Sequence, residues 1–206
     1  MSIYKNAIRD ARIREYLPVH RVMLAEQAQN AEILPGNPAL QPSISGTERI
    51  CVLQPGGALL LDFGVELHGG VRIVNRSGAG RIRLRFGESA SEAMGTPNQD
   101  HAIHDTELQV PAMGMLEYGN TAFRFVRIDA LDAKLELMNV LAVALYRDLK
   151  RGGSFRCSDE RLNRIWETGA YTLLLNMQDY IYDGAKRDRL VWMGDLHPEI
   201  CGILSV

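Results

Sequence analysis

The stretch Asp183–Glu199 reads DGAKRDRLVWMGDLHPE and sets four carboxylates (Asp183, Asp188, Asp195, Glu199), three cations (Lys186, Arg187, Arg189) and Trp192 within seventeen residues. Carboxylates accept hydrogen bonds from sugar hydroxyls, an indole face packs on the C–H face of a sugar ring, and a carboxyl that keeps its proton can serve as a general acid. The plainer alternative is a solvated loop in which neighbours such as Arg187 and Asp188 merely pair. Against it, Leu190, Val191, Trp192 and Met193 separate the carboxylates, which suggests a segment that dips into an interior. Gly184 and Gly194 stand just inside the two outer aspartates, where a tight backbone path would be needed.

Two kinds of element must position this stretch. From about Ile50 to Tyr146 the chain switches between short alternating runs and turn residues, the pattern of antiparallel strands. RIRLRF (Arg81 to Phe86) and FRFVRI (Phe123 to Ile128) are the clearest runs, with apolar side chains on one face and Arg on the other. At least five strands at this spacing, with no helical period between them, predict a mainly β fold: an antiparallel β-sandwich of two sheets. Gly78-Ala79-Gly80 reads as a hairpin turn, and the polar segment Ser89 to Thr106 as a long loop across one end.

After LKRGG (Leu149 to Gly153) the period becomes 3.6. Leu162, Ile165, Trp166, Gly169, Leu173, Met177 and Tyr180 fall on one stripe. Ser158, followed by Asp159 and Glu160, predicts the N-cap of a helix of roughly twenty residues. Gly184 ends that reading, and Pro198 suits the first position of another helix, PEICGILSV. This second helix is apolar on nearly all sides, so a packing partner over it is expected. The predicted division is an N-terminal segment or end of a preceding domain over 1–32, a β-sandwich module over 33–150, and the start of an α-helical domain over 151–206.

Composition narrows the classes. A net charge of −2 over 206 residues gives no electrostatic pull toward nucleic acid. The longest uncharged apolar run, Leu137 to Tyr146, is too short to span a membrane, and the N-terminus has no signal-peptide core. Cys51, Cys157 and Cys201 are widely spaced and odd in number, so neither a disulfide framework nor a zinc site is indicated, and a cytoplasmic location is expected. His101 and His104, with Asp100 and Asp105, lie in the polar loop without a third ligand, so no metal or other cofactor is expected. Arg81, Arg83, Arg85, Arg124 and Arg127 read as a solvated sheet face, with a ligand groove as the alternative.

Three stretches together resemble one family. Asp183, Arg187, Asp188, Trp192, Gly194 and Asp195 are spaced like the acidic motif of bacterial α-L-rhamnosidases, glycoside hydrolase family 78. Leu59 to Ser89 is similar to the β-sandwich module before their catalytic domain, and GGSFRCSDERLNRIWETG to the segment entering their (α/α)6 barrel. The resemblance covers most of the chain from about Ile33 onward. It implies an inverting hydrolase of terminal α-L-rhamnosides with a carbohydrate substrate and no cofactor. Asp183 would bind sugar hydroxyls, Arg187 would support sugar and acid, Trp192 would wall the pocket, and Asp195 would bind or act electrostatically. The family's usual acid is Glu; here the stretch is RDR, so Asp188 takes that place. The family's base lies late in the barrel, so the chain is expected to be an N-terminal portion that lacks the base and has no hydrolase activity by itself. The alternative function is a non-catalytic β-sandwich module that binds carbohydrate or braces a neighbouring domain.

Overall fold

The computed structural model describes residues 8–44, 49–96 and 104–206. Strands dominate: β1 (Arg12–Pro18), β2 (Arg21–Gln29), β3 (Cys51–Ser77), β4 (Gly80–Gly87), β5 (Asp105–Val110), β6 (Gly114–Ala130) and β7 (Leu135–Arg147). A single helical turn, α1 (Ala90–Met94), interrupts them, and α2 (Glu160–Asn176) and α3 (Met193–Ile203) follow. All strand pairings are antiparallel, in the order β1-β7-β3-β6-β4-β5 with β2 on β3.

The sandwich is built from one continuous hydrogen-bonded sheet rather than two separate ones. β3 pairs with β7 twice, through Cys51–Leu53 and again through Gly69–Ser77, with a register jump between. A strand that returns to the same neighbour has to bend back on itself, and the bend encloses a core. Leu53, Leu59, Leu61, Ile73, Ile82, Leu84, Phe123 and Ile128 are fully buried in that core. Gly69 marks the place where the path needs glycine: its φ is +143°, and a Cβ there would sit 1.9 Å from the Val143 carbonyl oxygen.

On β4 the predicted alternation is realised, with Ile82, Leu84 and Phe86 buried. On β6 it changes phase. Phe123 and Val126 share the main core, while Phe125 turns outward to join Leu60 and Ala93. The cause is the irregularity opposite, where the register slips between Asp62 and Leu67 and moves one side chain to the other face.

Several expectations need correction. Residues 12–29, expected to belong to a separate N-terminal segment or a preceding domain, form β1 and β2 and pair with β7 and β3. The strand pattern was hidden because β1 mixes exposed and half-buried residues on both faces, while β2 exposes the whole of one face. Gly78-Ala79-Gly80 does not close a hairpin of paired strands: β3 and β4 are each hydrogen-bonded to β6, not to one another. Within the expected long loop, Ser89 caps α1, its side chain accepting from the Glu92 amide at 3.2 Å. His101 and Asp100 lie outside the described residues.

The arginine face is neutralised rather than open. Arg81 pairs with Asp132 and Glu107, Arg83 with Glu107 and Asp105, and Arg127 with Asp129. Arg124 grips Asp62 with two bonds of 2.8 and 3.0 Å, and Arg21 adds a third at 2.9 Å. Asp62 is fully buried, and these hydrogen bonds, with that of the Gly64 amide, hold its carboxyl far below the usual carboxylate range against the opposing effect of burial.

Candidate functional site

α2 begins one residue later than expected. Asp159, not Ser158, is the N-cap, and its side chain accepts from the Arg161 amide at 2.8 Å. The helix stops at Asn176, well before Gly184, because the next residues bond to the sandwich instead. The Gln178 amide group donates to the Leu145 carbonyl at 3.1 Å, and Arg147 Nε donates to the Gln178 carbonyl at 2.7 Å. Asp179 pairs with Arg12 of β1 at 3.2 Å. Only Ala170 and Leu175 of α2 are buried, so the forward part of the predicted stripe is exposed, with Leu162 at 48% and Ile165 at 66%.

The segment that enters the interior is therefore not the one its apolar content suggested. Tyr182, Ala185 and Lys186 are buried, whereas Leu190, Val191, Trp192 and Met193 are exposed. Docking to the sandwich explains the exchange. The Ala122 amide donates to the Ala185 carbonyl at 3.0 Å, the Lys186 carbonyl lies 2.7 Å from His104 Nε2, and the Tyr182 ring sits 5.9 Å from His68. The Lys186 ammonium reaches α1 and pairs with Glu92. Burial lowers the Lys186 pKa to about 8, opposed by Glu88 and Glu66. Glu66, beside it, is pushed up to about 7, chiefly by burial and then by Glu88. His68 is lowered to about 4, again mainly by burial.

Beyond Lys186 the chain emerges as a closed loop. The Asp183 amide donates to the Leu190 carbonyl at 2.9 Å, and the Leu190 amide returns a bond to Asp183 Oδ1 at 3.0 Å. Inside that closure Arg187 and Asp188 project outward and pair side by side at 3.2 and 3.3 Å, as the plainer reading of the loop had it. Arg189 takes a left-handed φ of +52°, which turns its guanidinium back to the Asn120 carbonyl. The two neighbours thus face away from the sandwich while Arg189 faces it.

α3 begins at Met193, not at Pro198. Trp192 is its N-cap residue and Asp195 lies in its first turn, while Pro198 stands inside the helix. Asp195 therefore meets the positive end of a helix dipole, and Glu199 falls one turn further along the same side. Burial raises the Glu199 pKa above the ordinary carboxylate value, and the charges of Asp195 and Asp183 raise it further. Three of the four motif carboxylates thus interact electrostatically. No site role follows for Glu199 from the sequence; its spacing of four from Asp195 is the signal for this grouping once α3 is seen to include both.

The described residues contain no group of three His, Cys, Asp or Glu side chains placed to hold a metal ion. They also contain no helix long and apolar enough to cross a membrane.

The chain is thus a bent antiparallel sandwich followed by two helices, with the acidic, Trp-bearing loop between α2 and α3 docked back onto the sandwich. Comparisons with known proteins add to this description. Residues 150–204 match the bacterial alpha-L-rhamnosidase six-hairpin glycosidase domain. An alpha-L-rhamnosidase of Formosa agariphila is 29% identical over 75 residues, 36% of this chain and 8% of the relative. A Klebsiella oxytoca rhamnosidase with rhamnose bound superposes with a TM-score of 0.71 at 21% identity, over 93% of this chain and 40% of that one. A family 78 rhamnosidase of Bacillus sp. GL1 gives 0.55 at 22% identity, over 75% of this chain and 16% of that one. The chain resembles bacterial α-L-rhamnosidases and spans less than half the length of each of these relatives.

Proposed function

We propose that the chain carries the substrate-binding and acid-bearing part of an inverting, α-L-rhamnosidase-like glycoside hydrolase that acts on terminal α-L-rhamnosides. The observation that carries this reading is the motif's arrangement: half-buried Asp183 closes the loop onto the Leu190 amide, Trp192 is exposed at the loop's end, and Asp195 and half-buried Glu199 follow one turn apart on α3. Asp183 and Asp195 accept sugar hydroxyls, Trp192 offers its indole face to the ring, and Arg187 orients the sugar and Asp188. Asp188 is the general acid. An inverting reaction also needs a base about 6.5 to 9.5 Å away across the sugar, and no carboxylate of the motif is assigned to it. Residues 151–206 act as the start of the helical catalytic domain, and the sandwich is its brace.

In the 206-residue chain Asp188 is exposed and paired with Arg187. This favours a second reading for that chain by itself, a sugar-binding module without turnover. The test is an assay of the purified chain on an aryl α-L-rhamnoside together with calorimetry on L-rhamnose. No turnover is expected, with binding weakened about tenfold by Asp183→Ala or Trp192→Ala, since each removes one hydrogen-bonding or stacking contact. Turnover by the isolated chain would overturn the assignment of its activity, and binding indifferent to both substitutions would overturn the site.

A further inference from the structure

A cleft of about 440 Å³ lies on the sandwich side of the motif loop, between β4, the start of β5, β6 and Arg189. Its volume is within the range of small-molecule sites. Phe86, 2% exposed, lines it from the core, and Tyr118, 42% exposed, stands at its outer side. Asp105, Thr106, Asn120, Thr121 and Arg189 supply the polar lining.

The chemistry of that lining is selective. No aliphatic side chain contributes, so the cleft is lined by the rings of Phe86 and Tyr118, the His104 imidazole and otherwise hydrogen-bonding groups. Asp105 is already balanced by Arg85 at 2.6 Å. Arg189 bonds only a backbone carbonyl, makes no ion pair among the described residues, and keeps a buried Nε without a partner; Thr121 Oγ1 is likewise buried and unpaired. Unsatisfied polar groups beside a cleft favour a ligand rich in oxygen. The cleft is also built into the backbone. Gly119 has a φ of +117°, and a Cβ there would lie 2.7 Å from the Phe86 ring, so any other residue would close the space.

We infer that this cleft is a saccharide subsite, in which a hydroxyl-rich ring packs against Tyr118 and hydrogen-bonds Asn120, Thr106 and Arg189. It goes beyond the reading of the acidic motif and does not depend on it, because none of the motif's proposed sugar contacts lines the cleft. The test is titration of the purified chain with L-rhamnose and with a rhamnosyl-glucose disaccharide, followed by amide chemical shifts and calorimetry. Tyr118 is exposed and Thr106 lies on a partly exposed strand, so Tyr118→Ala and Thr106→Arg are expected to leave the fold intact, which the amide spectrum checks directly. Tyr118→Ala is expected to weaken disaccharide binding about three- to tenfold, Thr106→Arg to abolish it, and shifts to centre on Thr106, Asn120 and Thr121 in the unsubstituted chain. Binding of these sugars that is lost with Trp192→Ala but unchanged by Tyr118→Ala and Thr106→Arg would place the ligand on the motif alone and overturn the inference. Absence of binding by either sugar would overturn it as well.

Discussion

Lys186 of the motif loop and Glu92 of α1 form an ion pair between residues 94 apart in the chain, with Lys186 buried at 5% exposure and Glu92 half-buried. The pair ties the loop that presents Arg187 and Asp188 to a single helical turn on the sandwich. Removing one partner leaves a buried charge uncompensated, which is costlier than never having had the pair. Glu92→Met, which leaves the buried Lys186 ammonium unpaired, is expected to destabilise the chain by about 2–4 kcal/mol in urea unfolding, and Lys186→Met with Glu92→Met by clearly less. Equal losses in the single and double variants would mean that the pair does not hold the loop.

Asp62 anchors the strand-exchange region from beneath the arginine face. Its carboxyl is fully buried and bonded by Arg124, Arg21 and the Gly64 amide. Because its folded pKa is depressed, the stabilisation is present above the ordinary Asp value and is lost as pH falls through the folded one. Asp62→Asn is expected to cost about 3 kcal/mol near neutrality and to flatten the acid limb of the stability curve. A variant that keeps the unsubstituted acid limb would assign that limb to other groups.

Glu66 behaves in the opposite sense. Its folded pKa of about 7 lies above the ordinary 4.5, so the folded state holds the proton more tightly and loses stability as pH rises between those values. Burial and then the charge of Glu88 cause this, while Lys186 and Arg124 oppose it. Glu66→Gln is therefore expected to be stabilising at pH 8 by about 1 kcal/mol, after discounting for partial exposure, and close to neutral at pH 5. Thermal melts of both proteins at the two pH values measure the difference, and a gain of equal size at both would exclude titration as its source.

Asp183 closes the motif loop through the Leu190 amide. Asp183→Ala should speed hydrogen exchange at Leu190 by about tenfold while leaving the core strands unchanged, since one exposed bond is worth about 1 kcal/mol. Asp188→Asn, which touches only its neighbour Arg187, should leave exchange and global stability as they are. Faster exchange in Asp188→Asn would mean that the acid position supports the loop's shape.

Local pattern determined much of this protein. The alternation of Ile82, Leu84 and Phe86 defined a strand with one buried face, because a pleated backbone sends successive side chains to opposite sides. The switch to period 3.6 after Gly153 located α2, and the acidic motif with its Trp was readable from residue types and spacing alone. Tertiary structure decided what spacing cannot carry. β1 and β2 joined the sheet because β7 and β3 offered unpaired edges, although their own charge pattern concealed it. Pro198 entered a helix that starts five residues earlier, leaving Asp195 in the first turn and Glu199 beside it. Burial of Lys186 in place of Trp192 depended on a carboxylate from α1, the Phe86 carbonyl of β4, His104, and the bond of the Ala122 amide of β6 to the adjacent Ala185 carbonyl, all distant in sequence. An apolar run predicts burial only when some other surface is there to cover it, and a lysine can be buried wherever its charge and its backbone are both answered.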